Sequence, residues 1–373
     1  MIEIPFERLR ALGLTPALAQ RAAAAAAALD DISPAAQLMR LTEVHRETVQ
    51  LHGADGERSA RVLPRLARAL ADDETALAVG DWVLAVIDTH RQAWVHERVP
   101  PLSHICRRDA DGRRHPVVSN VDTAVLVMGL DDDFNPRRLE RYLALVYGAA
   151  ARGEAEHAVQ PVVVLPKADI AARTPGLIAA RIEALRGRLA AAIDLFIVDG
   201  TDPDTAPRLA AYLDSGQTLV VLGSSGAGKS TLTNTLLGSA VQDTGAVRAH
   251  DSRGKHTTTS RSLHRLPGGA CVIDTPGLRA LRPDIDETTL AASFADIDGL
   301  AAQCRFRDCR HQDEPGCAVR DGVGPDRLRN FHKLLREARR DTMSVLERQQ
   351  QASLWKARGR AARLHVKAKR GAG

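Results

Sequence analysis

The stretch Gly223–Ser230, with the sequence G-S-S-G-A-G-K-S, limits the possible folds of this chain more than any other segment. It follows the apolar run Thr218–Leu222, which predicts a buried strand, and it precedes a helical stretch that starts at Thr231. A glycine-rich turn between a strand and a helix lets backbone N–H groups face phosphate oxygens, and the helix N-terminus adds partial positive charge. The pattern therefore predicts a phosphate-binding loop within an α/β domain.

The same motif assigns roles to individual side chains. The predicted contacts to the nucleotide and its magnesium ion come from Gly223, Ser224, Ser225, Gly226, Ala227, Gly228, Lys229, Ser230 and Thr231. Among them, Lys229 is expected to reach the β- and γ-phosphates, and the Ser230 hydroxyl is expected to bind Mg²⁺. The motif thus predicts a nucleoside triphosphate as the ligand, with Mg²⁺ as its companion ion.

Two elements downstream extend this site. An apolar run ends in Asp274 and continues as Thr-Pro-Gly277, so that Asp274 would hold Mg²⁺ through a water molecule and the Gly277 N–H would contact the γ-phosphate. The intervening stretch Gly254–Thr259 contains three consecutive threonines, and one of them would complete the Mg²⁺ coordination when nucleotide binds. Thr258 is favoured for this role, with Thr257 as the alternative.

A Lys-x-Asp element indicates the base of the nucleotide. The apolar run Pro161–Leu165 leads into Pro166, Lys167 and, two residues later, Asp169. A carboxylate such as that of Asp169 can accept hydrogen bonds from guanine N1–H and N2–H₂, a donor pair that adenine lacks. These three residues are therefore predicted to bind guanine, which favours GTP over the alternative of an ATPase. Pro166 stands where such elements usually have Asn, and proline has no side-chain donor.

This guanine element precedes the phosphate loop along the chain, and no second Lys-x-Asp follows the loop. The order is physically permissible, because ligands of open α/β sheets bind at the C-terminal ends of the strands, where the loops meet whichever strand comes first. The sequence therefore predicts a circularly permuted nucleotide-binding domain. The permutation also places the Asp-x-x-Gly element next to the C-terminal part of the chain.

Four soft metal ligands lie close together in that C-terminal part, namely Cys304, Cys309, His311 and Cys317. Cys₃His is a closed four-ligand set typical of structural Zn²⁺, with no open position for a reactive water. The arginines between these ligands fit an RNA-facing surface, and ordinary solvation explains them as well. The two other cysteines, Cys106 and Cys271, are predicted to be core thiols.

The chain divides into four predicted parts: a helical extension (1–36), a barrel (37–113), a permuted nucleotide-binding domain (114–300) and a zinc-binding module with a basic helical tail (301–373). Short apolar stretches separated by glycine turns indicate a small β-barrel in the second part, although a small sandwich would leave a similar pattern. Continuous apolar strands alternate with helical stretches in the third part, which predicts a mainly parallel sheet. The predicted fold class is therefore multidomain.

Charge and cysteine content indicate the partners and the compartment. The net charge is +5, and residues 326–373 contain 14 Lys and Arg against 4 Asp and Glu. Such a tail indicates a polyanionic partner, with nucleic acid as the leading candidate, or else a solvated helix face. The odd number of cysteines argues against a disulfide framework and favours a reducing compartment. No apolar run approaches the ~20 residues that cross a bilayer. The sequence therefore predicts a cytoplasmic protein without membrane contact. A monomer is the default expectation.

In this order, the elements resemble those of the circularly permuted GTPases of small ribosomal subunit biogenesis, the RsgA/YjeQ family. The resemblance runs from about Leu41 to about Arg340, and besides the elements above it rests on Val44–Arg46, Val117–Thr123, Arg137–Leu143 and Cys304–Val319. It implies an OB-type barrel that binds ribosomal RNA and a GTPase that the small subunit stimulates late in its maturation. The implied partners are GTP, GDP and the small (30S) subunit with its rRNA.

This chain differs from the usual GTPase motifs at two places that affect hydrolysis and guanine binding. Leu278 follows Gly277, where many GTPases carry a water-positioning Gln. The Gly-x-His-Thr-Thr-Thr pattern of the family makes His256 the candidate for orienting the attacking water, and a contact of His256 with RNA or solvent is the equal alternative. The second guanine loop, usually Ser-Ala, corresponds here to Val198–Thr201. The alternative function is therefore a divergent nucleotide-dependent RNA-binding module with negligible hydrolysis.

Overall fold

The computed structural model describes residues 2–29, 35–109, 111–149, 158–238, 261–277 and 282–342. The predicted helical extension contains two helices, α1 (Phe6–Arg10) and α2 (Pro16–Ala27). The break between them occurs because Gly13 adopts a left-handed backbone (φ 85°) and Thr15 starts a new helix, its Oγ1 accepting from the Leu18 N–H at 3.2 Å. No helix in these described segments is long and apolar enough to span a membrane.

Five strands form a closed barrel, consisting of β1 (Gln37–Val44), β2 (Val49–Gly53), β3 (Gly56–Val62), β4 (Trp82–Ile87) and β5 (Ala93–Arg98). The strands pair in the order β1-β2-β3-β5-β4, and β4 returns to β1. Only β3 and β5 are parallel neighbours. Helix α3 (Pro64–Asp72) connects β3 to β4, and the hairpin β6 (His104–Arg108) and β7 (Arg114–Ser119) leads to the next domain.

Six strands form the central sheet, namely β8 (Thr123–Val127), β9 (Gln160–Leu165), β10 (Leu195–Ile197), β11 (Thr218–Gly223), β12 (Ser262–Arg265) and β13 (Cys271–Asp274). Their order is β10-β9-β8-β11-β13-β12, with only β12 antiparallel. Alternate residues of β11 join opposite apolar cores, Val220 and Leu222 on one side, Leu219 and Val221 on the other. Burial on both faces explains why these strands are continuously apolar.

The helices of this domain are α4 (Pro136–Tyr147), α5 (Ala168–Ala171), α6 (Leu177–Leu185), α7 (Thr205–Arg208) and α8 (Lys229–Leu237), with a 3₁₀ turn at Ala210–Tyr212. Residues of α4 and α6 join one core and residues of α8 join the other, so helices cover both faces of the sheet. Helix α6 ends at Leu185, and Gly187 adopts a left-handed backbone (φ 78°) two residues later.

The C-terminal module contains α9 (Glu287–Ser293), α10 (Ala295–Ala301), α11 (Ala318–Gly322) and α12 (Pro325–Thr342). It joins the central domain through Glu140 of α4, which is only 2% exposed. This carboxylate accepts hydrogen bonds from Arg188 at 2.9 Å, Arg327 at 2.6 Å and Asn330 at 2.5 Å. Two of these donors belong to α12, so the buried charge ties α12 to α4.

A second buried charge joins the barrel, the central sheet and the N-terminal extension. Arg40 of β1 is fully buried and donates to Thr218 Oγ1 and to the Asn120 carbonyl, each at 2.9 Å, as well as to the Leu12 carbonyl. Thr218 is the first residue of β11, the strand that leads to the phosphate loop. The extension therefore packs at the end of the sheet opposite that loop.

Candidate nucleotide-binding site and metal cluster

The predicted phosphate loop lies between β11 and α8, and its glycines are sterically required. A Cβ on Gly223 would lie 2.4 Å from the Val127 carbonyl oxygen, because the end of β11 packs closely on β8. Gly226 and Gly228 have φ angles of 79° and 102°, which side chains rarely tolerate. The tight turn ends at Lys229, the first residue of α8, so the backbone has the strand–loop–helix form that cradles phosphate.

Lys229 is nearly buried, with 7% of its surface exposed. Its Nζ donates to the Ser224 carbonyl at 2.8 Å, which folds the side chain back over the loop. Burial lowers the pKa of the Lys229 ammonium, while the Asp274 and Asp133 carboxylates oppose that shift. The loop thus carries a fixed positive charge where phosphate oxygens would bind.

Asp274 ends β13, directly beside β11, and is 1% exposed. Within the described part of the chain, neither carboxylate oxygen has a hydrogen-bond partner of good geometry. Burial raises the pKa of Asp274 to about 6, although the Lys229 charge and the Thr275 backbone amide oppose the shift. A buried carboxylate that lacks donors fits a position where a cation supplies the missing partner.

The Asp-x-x-Gly element continues against the phosphate loop. Thr275 Oγ1 donates to the Val221 carbonyl at 2.6 Å, which anchors the segment to β11. A Cβ on Gly277 would lie 2.5 Å from the Ser225 backbone nitrogen, so only glycine fits there. The structure thus brings Asp274 and Gly277 to the phosphate loop, while the predicted residues His256, Thr257, Thr258 and Leu278 lie outside the described residues.

The predicted guanine element also reaches the phosphate loop. Lys167 donates from Nζ to the Gly226 carbonyl at 2.6 Å. Pro166 contacts the same loop, since a Cβ on Gly228 would lie 3.0 Å from Pro166 Cγ. Asp169 is exposed on α5, where its carboxylate is accessible to a ligand.

The second guanine loop lies beside these residues. Asp199 Oδ1 accepts from the Thr201 N–H at 3.0 Å and from its hydroxyl at 2.7 Å. Thr235 of α8 donates to the Gly200 carbonyl at 2.6 Å, which ties the loop to the helix that follows the phosphate loop. The loop therefore holds its own hydroxyl internally and presents mainly backbone to a base.

Sequence reasoning missed two carboxylates in the loop that follows β8. Asp131 accepts a hydrogen bond from Lys167 Nζ at 2.5 Å. Asp133 accepts from the Ser224 hydroxyl and from Arg138 of α4. The available signal was a run of three aspartates, residues 131–133, shortly after a predicted strand of the central sheet.

The four predicted metal ligands come together, and all their ligand atoms lie within 4.8 Å of one another. His311 Nδ1 is 3.6 Å from Cys304 Sγ and 3.5 Å from Cys317 Sγ, and these two sulfurs are 4.0 Å apart. Such separations match tetrahedral ligands about 2.0–2.3 Å from a zinc ion. Both the donor set and its spacing therefore fit a structural metal.

Glu314 stabilises the turn of this cluster. Its carboxylate accepts from the backbone N–H groups of Arg310 at 3.0 Å and Gln312 at 2.9 Å. These hydrogen bonds lower the pKa of Glu314 to about 2, since they favour its charged form. The same hydrogen bonds stabilise the loop around His311, whose backbone is left-handed (φ 60°).

A broad groove of about 1300 Å³ runs between α4, α9, the cysteine cluster and α12. Its cationic lining consists of Arg137, Arg138, Arg141, Arg310, Arg329, Lys333, Arg336 and Arg339. Some of these charges are neutralised in ion pairs, such as Arg141 with Glu337 at 2.6 Å. Five of the eight cations are paired in this way, whereas Arg310, Lys333 and Arg336 form no ion pair among the described residues, so the groove keeps a net positive charge that favours a polyanion.

Comparisons with known proteins agree with this geometry. The family model of the RsgA GTPase matches residues 98–283. A Xanthomonas axonopodis pv. citri protein named small ribosomal subunit biogenesis GTPase RsgA is 44% identical over 312 residues, which cover 82% of this chain and 81% of the relative. The protein of the same name from Xanthomonas euvesicatoria pv. vesicatoria is 44% identical over 309 residues, covering 81% of this chain and 80% of the relative.

Two solved structures share the fold. The crystal structure of YjeQ from Thermotoga maritima superposes with a TM-score of 0.57 at 20% identity, covering 81% of this chain and 98% of that chain. The structure of YloQ, described as a circularly permuted GTPase, gives a TM-score of 0.54 at 21% identity, covering 83% of this chain and 97% of that chain. Together with the permuted order of the site elements, these matches show that the chain belongs to the RsgA family of circularly permuted GTPases.

Proposed function

We propose that this chain binds the small ribosomal subunit and hydrolyses GTP to GDP and phosphate during late maturation of that subunit. The observation that carries the proposal is the 44% identity, over most of both chains, to relatives named for this activity. The relatives are bacterial proteins named for subunit biogenesis, so the cytoplasm is the proposed compartment.

The geometry supports hydrolysis of a phosphoanhydride. Lys229 places its charge where the β- and γ-phosphates would lie, and the Gly277 backbone faces the same loop. Ser230 and Asp274 would hold Mg²⁺, which when bound neutralises charge on the phosphate oxygens. Orientation of the attacking water is assigned to His256, because Leu278 offers no polar group, and Thr258 is the proposed third magnesium ligand.

Guanine selectivity is assigned to Asp169, whose exposed carboxylate can accept from N1–H and N2–H₂. Asp169→Asn should weaken GTP and GDP binding by about tenfold or more while leaving ATP binding unchanged. The same variant should gain affinity for xanthosine diphosphate, since the Asn amide can donate to the carbonyl that replaces the guanine amine. Equal losses for GTP and ATP would contradict this assignment.

Ribosomal RNA contacts are assigned to the five-stranded barrel, proposed to be of the OB type, and to the C-terminal module. The cationic groove between α4 and α12 supports the second assignment, because phosphate backbones bind arginine-rich surfaces. One structural Zn²⁺ is proposed for Cys304, Cys309, His311 and Cys317, whose spacing supports it.

Co-sedimentation with purified ribosomal subunits tests the proposed partner. The protein should pellet with small subunits, more strongly with a non-hydrolysable GTP analogue than with GDP, and only weakly with large subunits. Equal binding to both subunits, or binding that ignores the nucleotide, would contradict the proposal. ATP analogues provide the matched control for the nucleotide.

A further inference from the structure

The guanine element and the phosphate loop are connected by a charged contact that involves a third segment. Lys167 Nζ donates to the Gly226 carbonyl of the phosphate loop at 2.6 Å and to Asp131 Oδ2 at 2.5 Å. The Lys167 and Asp131 side chains are 21% and 31% exposed, so water screens the pair only partly. One ammonium group is therefore held between the loop that follows β8 and the phosphate loop.

The backbone around Lys167 is arranged to make this contact. Lys167 has a left-handed conformation (φ 67°), which is strained in a residue with a side chain. Gly129 packs beneath the lysine stem, since a Cβ there would lie 2.5 Å from Asp131 Oδ1 and 3.5 Å from Lys167 Cδ. The left-handed backbone of Lys167 and the missing side chain at Gly129 together allow Lys167 Nζ to reach both acceptors.

Pro166 cannot supply this connection, because its side chain has no donor. It contributes packing instead: its Cγ would lie 3.0 Å from a Cβ on Gly228, and its carbonyl accepts from the Leu130 N–H at 2.9 Å. The loop after β8 thus holds Pro166 through its backbone and Lys167 through a carboxylate.

The same loop makes a second contact with the phosphate loop. Asp133 accepts from the Ser224 hydroxyl, and its other oxygen accepts from Arg138 of α4 at 2.5 Å. Asp132 lies between the two functional carboxylates and is exposed. Two of the three aspartates therefore brace the nucleotide-binding loops.

We propose that Asp131 is a positioning residue for the nucleotide, which holds Lys167 against the Gly226 carbonyl so that the guanine and phosphate loops are assembled before nucleotide binds. The contacts of Lys167 with Asp131 and Gly226 explain how the guanine element can function with Pro166 in place of an Asn. The inference rests on the proposed binding of nucleotide at the phosphate loop, and it assigns to Asp131 no contact with the reacting atoms.

The test compares Asp131→Asn with Asp132→Asn, which removes the same charge one residue away. Loss of a charge-assisted hydrogen bond should speed GDP dissociation about 5- to 30-fold in Asp131→Asn, whereas Asp132→Asn should stay within about twofold of wild type. Stopped-flow displacement of a fluorescent GDP measures this rate. In steady state, KM for GTP should rise while kcat at saturating GTP stays near the wild-type value.

A role in folding alone would give a different result. The melting temperature of nucleotide-free Asp131→Asn should match that of Asp132→Asn, and only the increase in melting temperature upon adding GDP should shrink. Asp131→Glu, which keeps the charge, should restore most of the slow dissociation. Equal GDP dissociation from the two Asn variants would overturn the proposal, as would a fall in nucleotide-free stability that accounts for the whole effect.

Pro166→Asn provides an independent test. Because Lys167 and Asp131 already connect the loops, this variant should bind GDP within about threefold of wild type, and a tenfold gain in affinity would overturn the proposal. The selectivity of Asp169→Asn separates this inference from the assignment of guanine recognition. If Asp169→Asn leaves base selectivity intact while Asp131→Asn still speeds dissociation, the bracing role stands and the guanine assignment fails.

Discussion

Replacing Asp274 with Asn should stabilise the nucleotide-free protein while removing its response to magnesium. The Asp274 side chain is buried without a good hydrogen bond among the described residues, and its pKa is raised from 3.8 to about 6. A carboxyl group with a raised pKa in the folded state binds its proton more tightly there than in the unfolded chain. Stability is therefore lost as pH rises from about 4 to about 6, and it stays lower above that range.

The size of the effect follows from this shift. With 1.36 kcal/mol per pKa unit, the buried charge costs about 3 kcal/mol at pH 7.5 but only about 1.6 kcal/mol at pH 5. The free energy of unfolding of the wild type should thus fall by about 1.4 kcal/mol more than that of Asp274→Asn between these pH values. For a domain of this size, the difference corresponds to about 3–6 °C in melting temperature.

The assay is thermal unfolding of wild type, Asp274→Asn and the exposed control Asp298→Asn at pH 5 and pH 7.5. Nucleotide and magnesium are left out, and no chelator is added, so that the cysteine cluster keeps its metal. Mg²⁺ and GDP at 1,000 times the Kd should reverse the order even at pH 7.5, because ligand at that concentration stabilises the wild type by about 4.1 kcal/mol. A melting-temperature difference that does not change with pH would refute the reasoning.

Three other predictions concern the metal cluster and two buried charged residues that connect different parts of the chain. Cys309→Ser should reduce bound zinc, measured by atomic emission, from one ion per chain to nearly none, while Cys106→Ser keeps the ion because that thiol is buried in the core. Glu140→Gln should lower the free energy of unfolding by about 2–3 kcal/mol, measured by denaturant titration, since it removes the charge that two arginines and an asparagine share. Arg40→Met should cost about 2–4 kcal/mol and expose the N-terminal extension to limited proteolysis, whereas the exposed Arg61→Met should not.

Features that depend on neighbouring residues in the chain could be predicted from the sequence. The phosphate loop needs glycine at positions such as Gly228 because of its own backbone angles, and the motif records that requirement. The metal cluster lies within one short segment, so its four ligands could be predicted from the sequence without knowledge of the fold. The same local logic could have divided the helical extension at Gly13 and Thr15, where a left-handed glycine precedes a helix cap.

Features that depend on which strands are neighbours could not be predicted. Asp131 matters because β8 lies between β9 and β11, which brings its loop to both Lys167 and Gly226. Similarly, Arg40 is an unremarkable arginine in the sequence, yet in the fold it contacts residues 28 and 178 positions away. Such long-range contacts are set by the packing of domains rather than by local pattern.

Steady-state hydrolysis of GTP and of ATP, each with and without purified small ribosomal subunits, tests the central claim most directly. The proposed function predicts turnover that is selective for GTP and that rises strongly when small subunits, but not large subunits, are added. Slow turnover that small subunits leave unchanged would contradict a ribosome-stimulated GTPase and would indicate a nucleotide-dependent binding module instead.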